Sequence, residues 1–64
     1  MSRFMKTLSS DIHLYTAKLD RSPIVVFVGG ELIGAGRIEE ITENSVKIGD
    51  KRYLRVSCTF KYAS

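Results

Sequence analysis

Residues 29–41 read GGELIGAGRIEEI, and the path of the chain through them decides the fold. Four glycines fall within eight positions, and a pair of glutamates follows. Just before them, Ile24-Val25-Val26-Phe27-Val28 is short, β-branched and aromatic, which reads as a strand. Gly29-Gly30 reads as a hairpin turn, because both residues take positive φ without penalty. A second strand then runs from residue 31 to residue 41. Gly34 and Gly36 sit inside it, where glycine weakens a strand and packs nothing. Glycines in that position mark a sharp bend, a bulge or the close approach of another backbone. A long second strand folded over at Gly34 and Gly36 lets a small sheet curl onto itself.

Downstream, Thr42-Glu43-Asn44-Ser45 is a turn. Val46-Lys47-Ile48 is a short strand with Val46 and Ile48 inward, and Gly49-Asp50 is the next turn. The last segment alternates. Arg52, Leu54, Val56, Cys58, Phe60 and Tyr62 lie on one face, apolar apart from Arg52; Tyr53, Arg55, Ser57, Thr59 and Lys61 lie on the other. A period of two is a strand signal, as one strand or as two with a kink near Val56 or Ser57. The expectation is a mainly β domain, a small, strongly bent barrel of four or five antiparallel strands.

Upstream, two readings stay open. Phe4, Leu8, Ile12, Tyr15 and Leu19 are spaced as the apolar stripe of an amphipathic helix. Ser2 would cap a long helix, and Ser9 or Ser10 a shorter one from Asp11. The stretch IHLYTAKL also tolerates a strand. The stripe favours a helix, which would cover an open end of the barrel or, as the alternative, offer a docking face to a protein. Pro23 ends either element, since it disfavours helix at the residue before it. The chain therefore reads as a single domain over 1–64, with an N-terminal helix or extension over 1–20 and the barrel over 23–62.

A chain of 64 residues buries only about 60% of the surface that its unfolded form exposes. Its core needs help from a disulfide, a metal or self-association. Cys58 is the single cysteine and His13 the single histidine, so neither an intrachain disulfide nor a Cys/His zinc site is expected. Self-association into a homo-oligomer is the remaining device. The longest apolar run, residues 24–28, is far below the roughly 20 residues of a membrane helix, and no signal-peptide pattern follows the start. A cytoplasmic, reduced protein without a membrane partner is expected.

The net charge of +3 is unevenly spread. Residues 31–43 carry Glu31, Glu39, Glu40 and Glu43 against Arg37. Residues 44–64 carry Lys47, Lys51, Arg52, Arg55 and Lys61 against Asp50. A basic end attracts phosphate, or complements the acidic end of another copy.

SPIVVFVGGELIGAGRIEEITENSVKI, residues 22–48, resembles the Sm-like and Hfq-like family of small β-barrels. It shares an apolar first strand, a glycine turn, a second strand with Gly36-Arg37-Ile38, acidic residues, a polar turn and an apolar third strand. The resemblance implies an N-terminal helix, five strongly bent strands of SH3-like type, assembly into rings and RNA binding. Asp50-Lys51-Arg52-Tyr53 stands nearest to the family's Tyr-Lys-His signature, without the histidine.

Lys47, Lys51, Arg52, Tyr53, Arg55 and Lys61 are the candidate nucleic-acid-binding residues. Cations neutralise phosphates, and an exposed aromatic ring stacks on a base. The same residues also suit a solvated strand face whose lysines block unwanted pairing. Glu39 and Glu40 are adjacent on a strand and point to opposite faces, which argues against a paired-carboxylate site. Cys58 lies among apolar residues, where a thiol is inert packing. The glycines of GGELIGAG form neither a phosphate loop nor a dinucleotide fingerprint. The sequence thus points to a non-enzymatic binding protein without catalytic residues, metal or cofactors, with RNA or single-stranded nucleic acid as leading partner. The alternative is a regulatory or protein–protein interaction module that binds a protein partner.

Overall fold

The computed structural model describes residues 4–64. The elements run α1 (Asp11–Asp20), β1 (Pro23–Val28), β2 (Glu31–Ile41), β3 (Ser45–Ile48), β4 (Lys51–Leu54) and β5 (Thr59–Tyr62). The strands form one antiparallel sheet in the order β4-β3-β2-β1-β5. Among the described residues the fold is therefore mainly β, with five antiparallel strands and one helix. The sheet does not close, because β4 and β5 are its two ends and do not pair with each other. The barrel expected from the sequence is, as a sheet, open.

The hairpin β1–β2 turns at Gly29 and Gly30, whose φ values are +57° and +84°. Along β1, Ile24 and Val26 are fully buried. Gly36 lies opposite Ile24 and Gly34 opposite Val26, so both glycines face the core. There the missing side chains make room for neighbours. A Cβ on Gly34 would overlap the Tyr53 hydroxyl and lie 2.7 Å from Cζ of the same ring. A Cβ on Gly36 would lie 2.9 Å from the Ile48 methyl, and Gly36 has a φ of +150°, which L side chains rarely adopt. Past Gly36, β2 leaves β1 at Arg37 and pairs with β3 from Ile38 onward. The two registers shift between Val26 and Phe27 and between Ile38 and Glu40, and such bulges add bend and twist.

Ser10 caps α1 by accepting from the His13 N–H. Arg21 closes it in the left-handed conformation, with φ +56°. The shorter helix from Asp11 is thus the one that forms; the alternative cap at Ser2 lies outside the described residues. The expected apolar stripe is corrected. Leu14 and Ala17 face the core, while Ile12 and Leu19 stand 76% and 83% exposed and Tyr15 about half exposed. The stripe assumed one helical phase from Phe4 onward. Residues 5–8 instead lie along β5, bonded to it through Met5, Lys6 and Leu8 and bridged at Thr7, so Leu8 is buried from a segment that is not helical.

The last segment also changes phase. Ser57 and Cys58 N–H groups both reach the Leu54 carbonyl, at 3.2 and 3.1 Å, which makes a turn between β4 and β5. In β4, Tyr53 lies opposite Val46 on the core side, and Leu54 is mostly exposed. Val56, expected inside, is 92% exposed. In β5, Phe60 and Tyr62 are buried as the alternation requires. Leu8, Leu14, Ala17, Ile24, Val26, Ile38, Val46, Ile48, Phe60 and Tyr62 form the core.

Candidate functional site

The two ends of the sheet differ. The outer edge of β5 is covered by residues 5–8. Met5 and Leu8 N–H groups donate to the Tyr62 and Phe60 carbonyls at 2.7 and 2.8 Å, and the Tyr62 N–H donates to Lys6 at 3.0 Å. Thr7 and Lys61 form an antiparallel bridge. This strap leaves β4 as the uncovered edge among the described residues.

The direction of the β4 peptide groups follows from one bond. The Arg55 N–H donates to the Asn44 carbonyl at 2.8 Å. Bonded pairs alternate along an antiparallel ladder, so Tyr53 bonds to Val46 and Lys51 to Ile48, the residues directly opposite them. Arg52 and Leu54 then turn their peptide groups away from β3. The Leu54 carbonyl is taken by the turn. The Arg52 N–H, the Arg52 carbonyl and the Leu54 N–H remain on the open edge. Beside them a groove of about 750 Å³ separates the end of β4 from the strap; Leu8, Leu14, Leu54, Val56, Cys58 and Phe60 supply its apolar lining.

The six cations and aromatics singled out in the sequence are not one cluster. Lys47 lies directly opposite Arg52 across β3–β4, and Lys51 opens β4 next to them. Arg52 donates to the Glu40 carboxylate and, at 3.4 Å, to the Ser45 hydroxyl. That hydrogen bond first, and the guanidinium charge second, hold the Glu40 carboxyl below its ordinary value of 4.5. Arg55 is structural. It pairs with Asp11 at the start of α1 and donates to the Thr42 carbonyl at 2.9 Å, tying the helix to the β2–β3 turn. The Tyr53 ring is half-buried against Gly34. Lys61 sits on β5, at the other end of the strand order, with its ammonium 5.5 Å from the Phe27 ring centre. Lys47, Lys51 and Arg52 are therefore the residues that come together.

Among the described residues no group of three or more His, Cys, Asp or Glu is placed to hold a metal. His13 is exposed, and its Nδ1 accepts from the Ser9 N–H at 3.3 Å, at the start of the helix. Cys58 is partly buried and lines the groove. No helix among the described residues is long and apolar enough to cross a membrane. Sequence reasoning missed the strap and the groove. The groove's signal was present in Leu54 and Val56, apolar residues on either side of a turn, but their exposure depends on the change of phase there. No family model matches the chain, and no curated protein or solved structure matches it.

Proposed function

We propose that this chain is a non-enzymatic interaction module that takes up an extended segment of a protein partner at its open sheet edge. The observation that carries the reading is the uncovered edge of β4 beside an apolar groove. Strand addition draws affinity from main-chain hydrogen bonds and specificity from pockets for alternate side chains, and both are supplied at one place. A selection from displayed extended peptides tests this. Binders should be competed by one another and should lose affinity when Leu54 is replaced by proline, which removes an outward N–H. Selected peptides that bind the Leu54→Pro protein equally would end the reading.

A second reading keeps RNA or single-stranded nucleic acid as partner. It is favoured by the side-by-side placement of Lys47, Lys51 and Arg52, and by the helix-then-five-strands order, which is the order the Sm-like resemblance implies. Filter binding of single-stranded RNA at low salt, with affinity falling steeply as salt rises, distinguishes it. Self-association belongs to either reading, since Ile12, Tyr15 and Leu19 present apolar side chains to water. Mass determination in solution decides it. A cytoplasmic location is part of the same proposal.

A further inference from the structure

Resting on the strand-addition reading, we infer what kind of segment the β4 edge takes: a short, acidic, extended stretch of another protein, with a carboxylate facing Arg52 and one apolar side chain entering the groove beside Leu54.

The β4 edge is unsuited to a second copy of this chain. A second copy pairing β4 against β4 would bring the Lys51 and Arg52 of both chains together. Like charges directly opposed across strands destabilise the pair. A second copy offering β5 meets the strap: in each chain the β5 carbonyls and the Tyr62 N–H are already bonded to residues 5–8. Short edge strands with cationic side chains also deter chance pairing. The strand that fits is one with complementary charge.

Register supplies the detail. Arg52 and Leu54 share one side of β4, opposite Lys47 and Ser45 respectively. Both also turn their free peptide groups outward. An incoming residue that pairs with Arg52 therefore has its side chain beside the Arg52 guanidinium, with Lys47 one strand further in. The residue two positions away lies beside Leu54, at the groove. Arg52 already touches Glu40, but both side chains are about half exposed. An exposed pair of this kind is weak and salt-screened, so a second carboxylate can share or replace it at little cost. The Arg52 N–H and carbonyl can bond one partner residue from both sides, and the Leu54 N–H needs a partner carbonyl. This short ladder predicts modest affinity and strong dependence on charge.

The test uses the full chain and three synthetic extended peptides of equal length that share one central apolar residue. They carry flanking Glu, Ser or Lys residues. Binding is read by fluorescence anisotropy, and the site by amide shifts. The Glu peptide should bind at least tenfold more tightly than the Ser peptide and shift the Arg52 and Leu54 amides. Its advantage should vanish at high salt and in Lys51→Glu/Arg52→Glu. N-methylation of the peptide backbone should abolish binding without any change to the protein, which guards against a variant that fails to fold. Equal binding of all three peptides at the same amides would keep strand addition and overturn the acidic partner. No peptide binding at all, with RNA shifting those amides instead, would overturn both.

Discussion

Replacing Gly36 by alanine tests the bend on which the sheet depends. Two separate costs meet at this position. An L residue held at a φ of +150° sits in a region that costs of order 1–3 kcal/mol. Its Cβ would also stand 2.9 Å from the Ile48 methyl, and forcing an extra carbon into a packed core costs about 1–3 kcal/mol. The sum is about 2–6 kcal/mol. At about 0.05–0.15 kcal/mol per residue, a chain of 64 residues has about 3–10 kcal/mol of stability in all. Gly36→Ala should therefore remove about half of it or more. Two other glycines separate the costs. Gly30 has a φ of +84° and an added Cβ there would meet nothing within 4 Å, so Gly30→Ala carries the backbone cost alone. Gly34 is not in the positive-φ region but faces the Tyr53 ring, so Gly34→Ala carries the steric cost alone. Urea unfolding at constant slope reads each loss from the midpoint. The expected order places Gly36→Ala lowest. If Gly36→Ala loses no more than Gly30→Ala, Ile48 does not pack against the strand at that point and the account of the bend fails.

Val56→Asp should change stability by no more than about 0.5 kcal/mol, as surface substitutions do, whereas Phe60→Asp should unfold the domain by burying a charge without a partner; thermal melts of the two variants check the phase change between β4 and β5. Arg55→Ala should cost about 1–2 kcal/mol by removing charge-assisted bonds to Asp11 and the Thr42 carbonyl, and an unchanged melt would show that the helix is not tied to the β2–β3 turn. The Glu40 carboxyl is held below its ordinary 4.5 by Arg52. A carboxylate with a lowered folded-state pKa stabilises the fold above its unfolded pKa, and this stabilisation is lost as pH falls through the folded value. Stability followed from about pH 6 down to about pH 3 should thus decline less steeply in Glu40→Gln than in the wild type; superimposable slopes would remove the Glu40–Arg52 pair.

Where the sequence signal is local, the structure repeats it. The Gly29-Gly30 turn, the inward pair Val46 and Ile48, and the start of a short helix after Ser10 each depend on neighbouring residues. Each was readable from turn chemistry, period or capping. The two misplaced faces depend on something else. In α1 the periodicity admits more than one stripe, and the one that is buried, Leu14 and Ala17, is chosen by where the helix can lie close to the sheet. The small Ala17, fully buried, permits that approach. In the last segment a period of two runs unbroken through the sequence, yet the three residues between Leu54 and Cys58 turn the chain and invert the phase of β4 against β5. Alternation in sequence does not reveal where a strand stops, because a turn can occupy residues that fit the pattern.

The candidate site was half legible for a related reason. Sequence gives the sign of a charge but not its partner. Arg55 meets an aspartate 44 positions away and Lys61 stands on β5 over the Phe27 ring, so two of the five cations lie outside the patch, and Arg52 within it already shares its charge with a glutamate 12 positions away. What is left, Lys47, Lys51 and Arg52, is a smaller patch than the composition of residues 44–64 suggests, and it is confined to one strand edge and its neighbour. A diffuse basic face would suit any polyanion. A compact one beside outward N–H groups and an apolar groove suits a ligand with its own backbone, and that difference in geometry is the ground on which a peptide strand is proposed ahead of RNA.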